Sequence, residues 1–316
     1  MALTTPARTA TTVTPDLVRR RLEGRRLDVA GAAFRLALLC ALAFALLVLG
    51  VLLADVLTGG WSVLSTRLAD FMTGTLRSFP GDAGIFQGLR GSLWIGIFVV
   101  TLAFPFGIGA AIYLEEYAPR SRLTRFIDIN IRNLAGVPSI VYGLLGLAIF
   151  VQTLEDFTGG RSVIAGGITL AILVLPIVII TSAEAIRAVP NGLREAGFGV
   201  GSTRWEVIRH HVLPYAAPGI LTGTVLSLAR ALGEAAPLIL VGAVSGRLGS
   251  NPGLFDFGSL DQRFTAMPNV ITAWASQPNP GFRANTAAAI VIMLVFVLVA
   301  NAAAIVARNR FERKRS

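Results

Sequence analysis

Residues 187–220, RAVPNGLREAGFGVGSTRWEVIRHHVLPYAAPGI, form a polar segment between two long apolar runs. Apolar and small side chains recur at helical spacing in its first half, at Leu193, Ala196, Gly197 and Val200. Pro190-Asn191 is typical of a helix start, and Gly201 is typical of a helix end. The first half of the segment therefore predicts a short amphipathic helix rather than an open loop.

A second short helix is predicted directly after the first. Thr203 is followed three residues later by Glu206, which is the spacing of a capping box at a helix start. Apolar residues continue this helix to Pro214, where we expect it to stop. The small residues that would let another protein's backbone approach closely are Ala196, Gly197, Gly199 and Gly201. The alternative interpretation is an amphipathic helix pair that lies on a membrane surface.

Outside this segment the composition is that of a membrane protein, with 54% hydrophobic and only 15% charged residues. The apolar residues gather in blocks of about twenty, the length that spans a bilayer as a helix. The blocks are 34–57, 92–113, 134–154, 163–181, 217–244 and 287–307. Core helices of a globular protein are a poor alternative because the blocks are too long and too uniformly apolar. The sequence predicts an all-α membrane protein with six transmembrane helices.

The charge distribution gives an orientation. If both termini are cytoplasmic, twenty of the 28 basic residues lie in segments on the cytoplasmic side. This asymmetry is what the positive-inside rule expects of a plasma membrane protein. It also accounts for the formal net charge of +10 without a nucleic-acid partner. We therefore expect both termini in the cytoplasm.

Four parts are predicted along the chain. Residues 1–33 form a cytoplasmic N-terminal tail, 34–86 an anchor transmembrane helix with an external loop, 87–307 the main transmembrane domain, and 308–316 a cytoplasmic basic tail. The arginine cluster RRRLEGRR at 19–26 is expected to lie against anionic headgroups, so membrane lipid is one predicted partner.

Arg230 and Glu234 interrupt the apolar stretch LSLARALGEAAPLILVG, residues 226–242. An arginine at the centre of a membrane helix costs about 2.5–3.5 kcal/mol even on the lenient insertion scale. On a helix the two residues share a face and can pair, with Arg230 near the midpoint of the span. One interpretation is an ion pair that locks two helices together. The other is a guanidinium in a water-filled path for an anion, held in place by the carboxylate.

The segment 187–220 resembles the EAA motif of bacterial ABC-importer permeases, E-A-A-x(3)-G-x(9)-I-x-L-P. The residues that carry this resemblance are Glu195, Ala196, Gly197, Gly201, Ile208, Leu213 and Pro214. Gly197 stands where the family usually has Ala, and Ile208 lies earlier than the strict spacing. In that family the loop forms a coupling helix that docks on the ATP-hydrolysing subunit. The resemblance implies the same contact for these residues.

Three further stretches narrow the resemblance: YLEEYAP at 113–119, NLAGVPSIVYGLLGL at 133–147 and ARALGEAAPLILVG at 229–242. Together they are similar to phosphate-specific ABC importer permeases, and the GEAAPL ending favours the PstA-type subunit. The resemblance implies a type I ABC importer permease (MetI-like) fold over 87–307 and import of inorganic phosphate across the bacterial plasma membrane. It implies as partners a PstC-type permease, two copies of a PstB-type ATPase and an extracytoplasmic phosphate-binding protein.

The chain lacks the Gly-rich loop ending in Lys-Ser/Thr that binds nucleotide phosphates, and its only lysine is Lys314. We expect no catalytic residue, no metal ligand and no cofactor in this chain, with ATP and Mg on the partner ATPases. The nearest alternatives are the same fold for another anion and the PstC-type subunit. An ATP-independent channel or secondary transporter explains the spans and the charges but not the 187–220 segment. A membrane scaffold explains only the spans.

Overall fold

A computed structural model describes residues 29–246, 248 and 253–313, without the side chains of 304 and 307–313. Of the predicted N-terminal tail, residues 1–28 and their arginine cluster lie outside the described residues, and residues 29–33 belong to the first helix. The last three residues of the predicted C-terminal tail also lie outside them. Every regular element in the described part of the chain is helical, as the composition predicts.

Twelve helices are described, together with one 3₁₀ turn at Phe257–Ser259. They are α1 Val29–Thr66, α2 Leu68–Thr73, α3 Phe86–Tyr117, α4 Arg122–Ala135, α5 Ser139–Thr153, α6 Glu155–Thr158, α7 Val163–Arg187, α8 Asn191–Gly199, α9 Arg204–Gly233, α10 Ala236–Val241, α11 Met267–Ala275 and α12 Gly281–Arg313. Helices α3, α5 and α9 each include at least one π-type turn. The last helix continues past the predicted end at residue 307, so part of the predicted basic tail is helical.

Five of these helices are long and apolar enough to cross a membrane: α1, α3, α7, α9 and α12. A sixth crossing requires the pair α4 and α5, which is bent by 98°. The bend falls at Gly136–Pro138, because proline cannot donate the helical hydrogen bond and its predecessor disfavours helical torsions. Within the predicted block 134–154, the helix that can run along a span therefore begins only at Ser139. The number of six stays a prediction.

The chain divides into two compact units, with the boundary between Asp55 and Val56 inside α1. In the first unit the described residues 29–55 form one uninterrupted helix whose side chains are all exposed. The second unit holds the remaining helices and their hydrophobic cores. A helix that is apolar on all sides and exposed on all sides needs lipid or another protein around it.

Helix α7 is the central helix of the second unit, and two thirds of its most apolar stretch (67%) is buried. Three helices approach it through glycines. A Cβ at Gly107 of α3 would lie 2.6 Å from Val178 Cγ1, and Cβ atoms at Gly223 of α9 and Gly146 of α5 would overlap threonines of α7. Small residues of this kind let membrane helices pack backbone against backbone. Gly107, Gly146 and Gly223 therefore allow close packing around α7.

The loop that follows α10 is held against the start of α3 at the end opposite α8. Buried Arg90 donates from Nε to the Gly253 carbonyl (2.9 Å) and from Nη2 to the Asp256 carbonyl (2.9 Å), and also bonds Ser259 Oγ. The indole N–H of Trp94 donates to a carbonyl of the same loop at 3.0 Å. These bonds satisfy a buried guanidinium with neutral acceptors and fix the loop over the bundle.

Replacing Gly107 by Val is expected to lower the stability of the bundle by about 1–3 kcal/mol, because the new side chain collides with Val178. The matched control is Gly109→Val on the same helix, where a Cβ meets nothing within 4 Å. Thermal unfolding of both variants in detergent measures the difference. Equal melting temperatures for the two variants would contradict close packing at Gly107.

Candidate functional sites

The segment 187–220 forms a helical hairpin at one end of the bundle. Helix α8 starts at Asn191 after Pro190, and the chain reverses at Gly201, which has φ +84°. The capping box is formed: the backbone N–H of Thr203 donates to Glu206 Oε2 at 2.7 Å, and the backbone N–H of Glu206 donates to Thr203 Oγ1 at 3.4 Å. The predicted first helix, its end near Gly201 and the capped start of the second helix are confirmed.

The predicted stop of the second helix at Pro214 is wrong. The helix continues as α9 through Pro214 and Pro218 to Gly233. A π-type turn at Ile208–Val212 precedes the first proline. Such a turn offsets the hydrogen-bond register by one residue, which allows a helix to continue past a proline. The second helix of the hairpin is therefore the start of a membrane-length helix.

A partly buried ion pair anchors the hairpin to the end of α3. Arg194 of α8 donates from Nη2 to Glu116 Oε1 at 2.7 Å and from Nε to the same oxygen at 3.1 Å. The side chains are only 18% and 10% exposed. The same guanidinium donates to the carbonyls of Val189 (2.7 Å) and Ile186 (3.0 Å). Arg194 thus joins α3, the end of α7 and α8 in one polar cluster.

The residues on either side of Glu116 make parallel contacts. Glu115 accepts hydrogen bonds from Arg187 at the end of α7, one of them from Nε at 3.2 Å. The ring of Tyr117 lies 5.4 Å from the guanidinium carbon of Arg204, the first residue of α9. Three successive residues of one π-type turn therefore hold the hairpin at its entry, its first helix and its second helix. We call residues 115–117 with these three arginines the hairpin clamp.

The clamp was not predicted from the sequence, although the stretch YLEEYAP contains three of its residues. The signal was present: two adjacent acids end an apolar block, and the next polar segment carries arginines at helix boundaries. Pairing between segments more than seventy residues apart cannot be derived from spacing alone. Only the packing of α3 against α7 brings the two segments together.

The motif residues fall into three environments. Glu195, Ala196 and Gly201 are exposed, Gly197 and Ile208 are buried, and Leu213 and Pro214 are half-buried. A Cβ at Gly197 would lie 2.8 Å from Val207 Cγ2, so this position must be small for contact within the hairpin itself. Gly199 and Gly201 border open space. Contact of these residues with an ATPase stays a prediction.

The assignment of Ile208 to the isoleucine position of the motif is wrong. Gly201 stands at the motif's spacing from Gly197, and after nine intervening residues the isoleucine position of the motif holds His211. Ile208 is 1% exposed and faces the protein interior. His211 is exposed on α9, with its Cδ2 3.5 Å from where a Cβ of Gly197 would be. The motif therefore departs from the family pattern at two positions, Gly197 and His211.

The tip of the hairpin exposes large apolar side chains. Phe198 is 48% exposed, Val200 is 81% exposed and Trp205 is 50% exposed. They surround the reversal at Gly201, next to the open space at the two glycines. Exposed apolar groups clustered at a rigid tip are typical of a protein contact.

Arg230 and Glu234 do pair, with Nε and Oε1 3.4 Å apart, but they do not share one continuous helix. Helix α9 ends at Gly233, Glu234 is extended (φ −79°, ψ 120°), and α10 begins at Ala236. Pro237 explains the break, because it cannot donate the hydrogen bond that would continue the helix. The predicted span 217–244 is therefore not one helix, because residues 234 and 235 are not helical. Arg230 lies in the last turn of α9 and not near the midpoint of a span.

The pair does not lock two helices of this chain together, as one interpretation predicted, because Arg230 and Glu234 belong to one segment. The Arg230 side chain is 52% exposed and that of Glu234 is 18% exposed. Thr222, Leu226, Arg230 and Gly233 form an exposed stripe along α9, opposite its buried face. Arg230 thus points away from the core of its own chain.

The break lies against α5. A Cβ at Gly143 would lie 2.7 Å from Pro237 Cα, so α10 packs on α5 with direct backbone contact. Gly143 belongs to the stretch 133–147 and Pro237 to 229–242, two of the stretches quoted for the family resemblance. Two of the stretches that carry the family resemblance are therefore in contact with each other in the structure.

Among the described residues, no group of three or more His, Cys, Asp and Glu side chains could hold a metal ion. His210 and His211 are both exposed on α9. The described candidate sites are a helical hairpin with an exposed apolar tip and a charged pair at a helix break.

Solved structures share this arrangement of helices. One titled "Crystal structure of bacterial alginate ABC transporter in complex with alginate pentasaccharide-bound periplasmic protein" aligns with a TM-score of 0.63 at 14% identity, covering 92% of this chain and 94% of that chain. The MetNI methionine ABC transporter in inward-facing conformations aligns with a TM-score of 0.53 at 18% identity, covering 72% and 94%. The fold is that of a type I ABC importer permease subunit.

The chain belongs to the family described as "Binding-protein-dependent transport system inner membrane component", which matches residues 103–315. It is 37% identical over 240 residues to the phosphate transport system permease protein PstA of Mycobacterium leprae, covering 74% of each chain. It is 34% identical over 208 residues to the probable ABC transporter permease protein YqgI of Bacillus subtilis, covering 66% of this chain and 68% of that one. The predicted permease class and the multi-pass location in the plasma membrane are confirmed.

Removing the carboxylate of the buried clamp pair by Glu116→Gln is expected to destabilise the hairpin by about 2 kcal/mol, because Arg194 keeps its charge without its partner. Limited proteolysis at the hairpin and thermal unfolding in detergent measure this effect. The control is Asp128→Asn, which removes an exposed pair with Arg132 and is expected to cost less than about 1 kcal/mol. Equal protease resistance of the Glu116 variant and the unaltered chain would contradict the clamp.

Proposed function

We propose that this chain is the PstA-type permease subunit of an ATP-driven importer for inorganic phosphate. The main support for phosphate as the substrate is the similarity to relatives named as phosphate permeases. For PstA of Mycobacterium leprae the identity is 37% over 74% of the chain. The exposed guanidinium of Arg230 at a broken span supports it, because guanidinium donors match phosphate oxygens.

The proposed complex contains this chain, a PstC-type permease, two copies of a PstB-type ATPase in the cytoplasm and an extracytoplasmic phosphate-binding protein. This chain contributes no cofactor and no catalytic residue, and ATP and Mg bind to the ATPases. The proposed topology has six spans with both termini cytoplasmic. In this orientation the hairpin of α8 and the start of α9 lies in the cytoplasm, where an ATPase can reach it.

The hairpin is proposed to couple ATP hydrolysis to movement of the helices. Its apolar tip supplies the docking surface, and the exposed Glu195 and Ala196 lie beside it. The clamp at residues 115–117 joins the hairpin to α3, and α9 continues directly from it. A displacement of the tip would therefore act on two membrane-length helices at once.

A second candidate is the PstC-type subunit of the same importer. The chain is 31% identical over 330 residues to the phosphate transport system permease protein PstC 2 of Mycobacterium tuberculosis, covering 96% of both chains. The identity is lower than to PstA, but the coverage is larger. Complementation separates the two: a PstA-type chain restores uptake only in cells that lack PstA, and a PstC-type chain only in cells that lack PstC.

Uptake of radiolabelled phosphate tests the proposed function. Cells that lack this chain are expected to lose high-affinity uptake and to regain it when the chain is returned. Sulfate and nitrate at equal concentration serve as competing anions. Undiminished phosphate uptake in the deletion strain, or competition by another anion, would contradict phosphate as the substrate.

In the same assay, Arg230→Lys is expected to lose most transport although it keeps the charge, because an ammonium cannot reproduce the planar donors of a guanidinium. Arg230→Gln is expected to abolish transport. Both variants should fold, since Arg230 points away from the core of its own chain, and they should assemble with the partner permease because the proposal places Arg230 in the anion path and not in the subunit contact. Full transport by a double variant with apolar residues at 230 and 234 would rule out the anion path, and loss of assembly in Arg230→Gln would favour an ion-pair lock.

For the hairpin, Val200→Asp is expected to weaken association with the ATPase roughly tenfold or more, because it places a charge in the apolar contact. Phe79→Asp is the matched control, with 74% exposure at the opposite end of the bundle. Co-purification of the ATPase with each solubilised chain measures the effect. Normal ATPase yield with the Val200 variant would contradict docking at the tip.

A further inference from the structure

Helix α4, Arg122–Ala135, has an apolar face that nothing in the described chain covers. Leu123 is 68% exposed, Phe126 is 64% exposed and Leu134 is 47% exposed. Their spacing places them on one side of the helix. The charged residues lie on the other side, and Asn130 on the apolar side donates to the Phe126 carbonyl, so α4 is amphipathic in the manner of helices that lie in a membrane surface.

The position of α4 is fixed by its neighbours. It is bent by 98° from α5, so it runs across the direction of a span rather than along it. Arg132 joins it to the last turn of α7 through Glu184 at 3.7 Å. It therefore lies at the hairpin end of the bundle, at the level where the charged residues of α7 begin. This level is the boundary between the apolar core of a membrane and its headgroups.

Three exposed arginines surround the start of α4: Arg120, Arg122 and Arg125, which we call the cleft arginines. They line a cleft of about 620 Å³ together with Arg187 and Glu115. No described residue forms an ion pair with any of the three. An anionic surface complements their charge, and long arginine side chains can reach headgroups while the helix body stays at the apolar boundary.

We propose that α4 lies in the headgroup layer at the hairpin end and that the cleft arginines bind the phosphate groups of anionic phospholipids. The apolar face of Leu123, Phe126 and Leu134 then enters the acyl chains. This contact is independent of the transported substrate. Because the same cleft includes Glu115 and Arg187 of the hairpin clamp, the bound lipid lies directly beside the segment that holds the hairpin.

The test uses the full chain in nanodiscs with a fluorophore at Phe126→Cys in a Cys40→Ala background. Spin-labelled phosphatidylglycerol or phosphatidylcholine is added as a minor lipid to quench the fluorophore. We expect quenching by both lipids, and stronger quenching by phosphatidylglycerol at equal mole fraction. A fluorophore at Val200→Cys, on the hairpin tip, is expected to be quenched weakly by either lipid, since Val200 is 81% exposed beyond the bundle.

Replacing the three cleft arginines by glutamine is expected to reduce the preference for phosphatidylglycerol by about fivefold or more. The matched control removes the same charge at the opposite end through Arg77, Arg263 and Arg283, all exposed, and should keep the preference. Higher salt should weaken the preference, as expected of surface charge. An excess of inorganic phosphate should leave it unchanged.

Three outcomes would overturn the proposal. Equal quenching by the two lipids would show that the arginines do not select anionic headgroups. Loss of the preference on adding inorganic phosphate would assign the cleft to the free ion. Absence of lipid quenching at residue 126, with shielding from aqueous quenchers only after the partner permease is added, would make the apolar face a protein interface.

Discussion

The close approach of helix backbones to α7 is the constraint on which the remaining structure depends. Side chains such as Val178 and Thr181 of α7 fill the space that Cβ atoms would occupy at Gly107 and Gly223. In a membrane the hydrophobic effect does not press helices together, so van der Waals contact of this kind must hold the bundle. By helix propensity alone, these glycines would be expected to destabilise their helices. Here they determine which helices can be neighbours of α7.

This packing also explains how charges far apart in sequence become one cluster. Once α3 lies on α7 through Gly107, the end of α3 lies beside the end of α7, and Glu115 meets Arg187. Glu116 then reaches Arg194 in the hairpin. The pair is only partly exposed, so it is screened less than a surface pair and fixes the hairpin in one position. The packing of α3 on α7 and the ion pairs of the clamp therefore both attach the hairpin to the bundle.

Structural features that depend on neighbouring residues could be predicted from the sequence. Features that depend on long-range contacts could not. Pro190, Thr203 and Glu206 determine helix boundaries through bonds to their own neighbours, and the hairpin appeared at those positions. Membrane-length blocks were found because hydrophobicity and length suffice to predict them. The break at Glu234 was missed, because a proline at membrane depth can bend a helix or end it. The extended torsions of Glu234 show that the helix ends there, and Pro237 then packs on Gly143.

The broken end of α9 limits what can surround Arg230. Glu234 has extended torsions and α10 begins only at Ala236, so the backbone at the break is not regular helix. Irregular backbone at membrane depth is tolerated only where protein buries it or where it lines a water-filled cavity. Arg230 lies beside this break on a stripe that its own chain leaves open, and a guanidinium facing hydrocarbon would be costly. The stripe therefore needs protein or water beside it, which the proposed partner permease or the proposed anion path would supply. Breaks of this kind in membrane helices are where transporters commonly place their substrate sites.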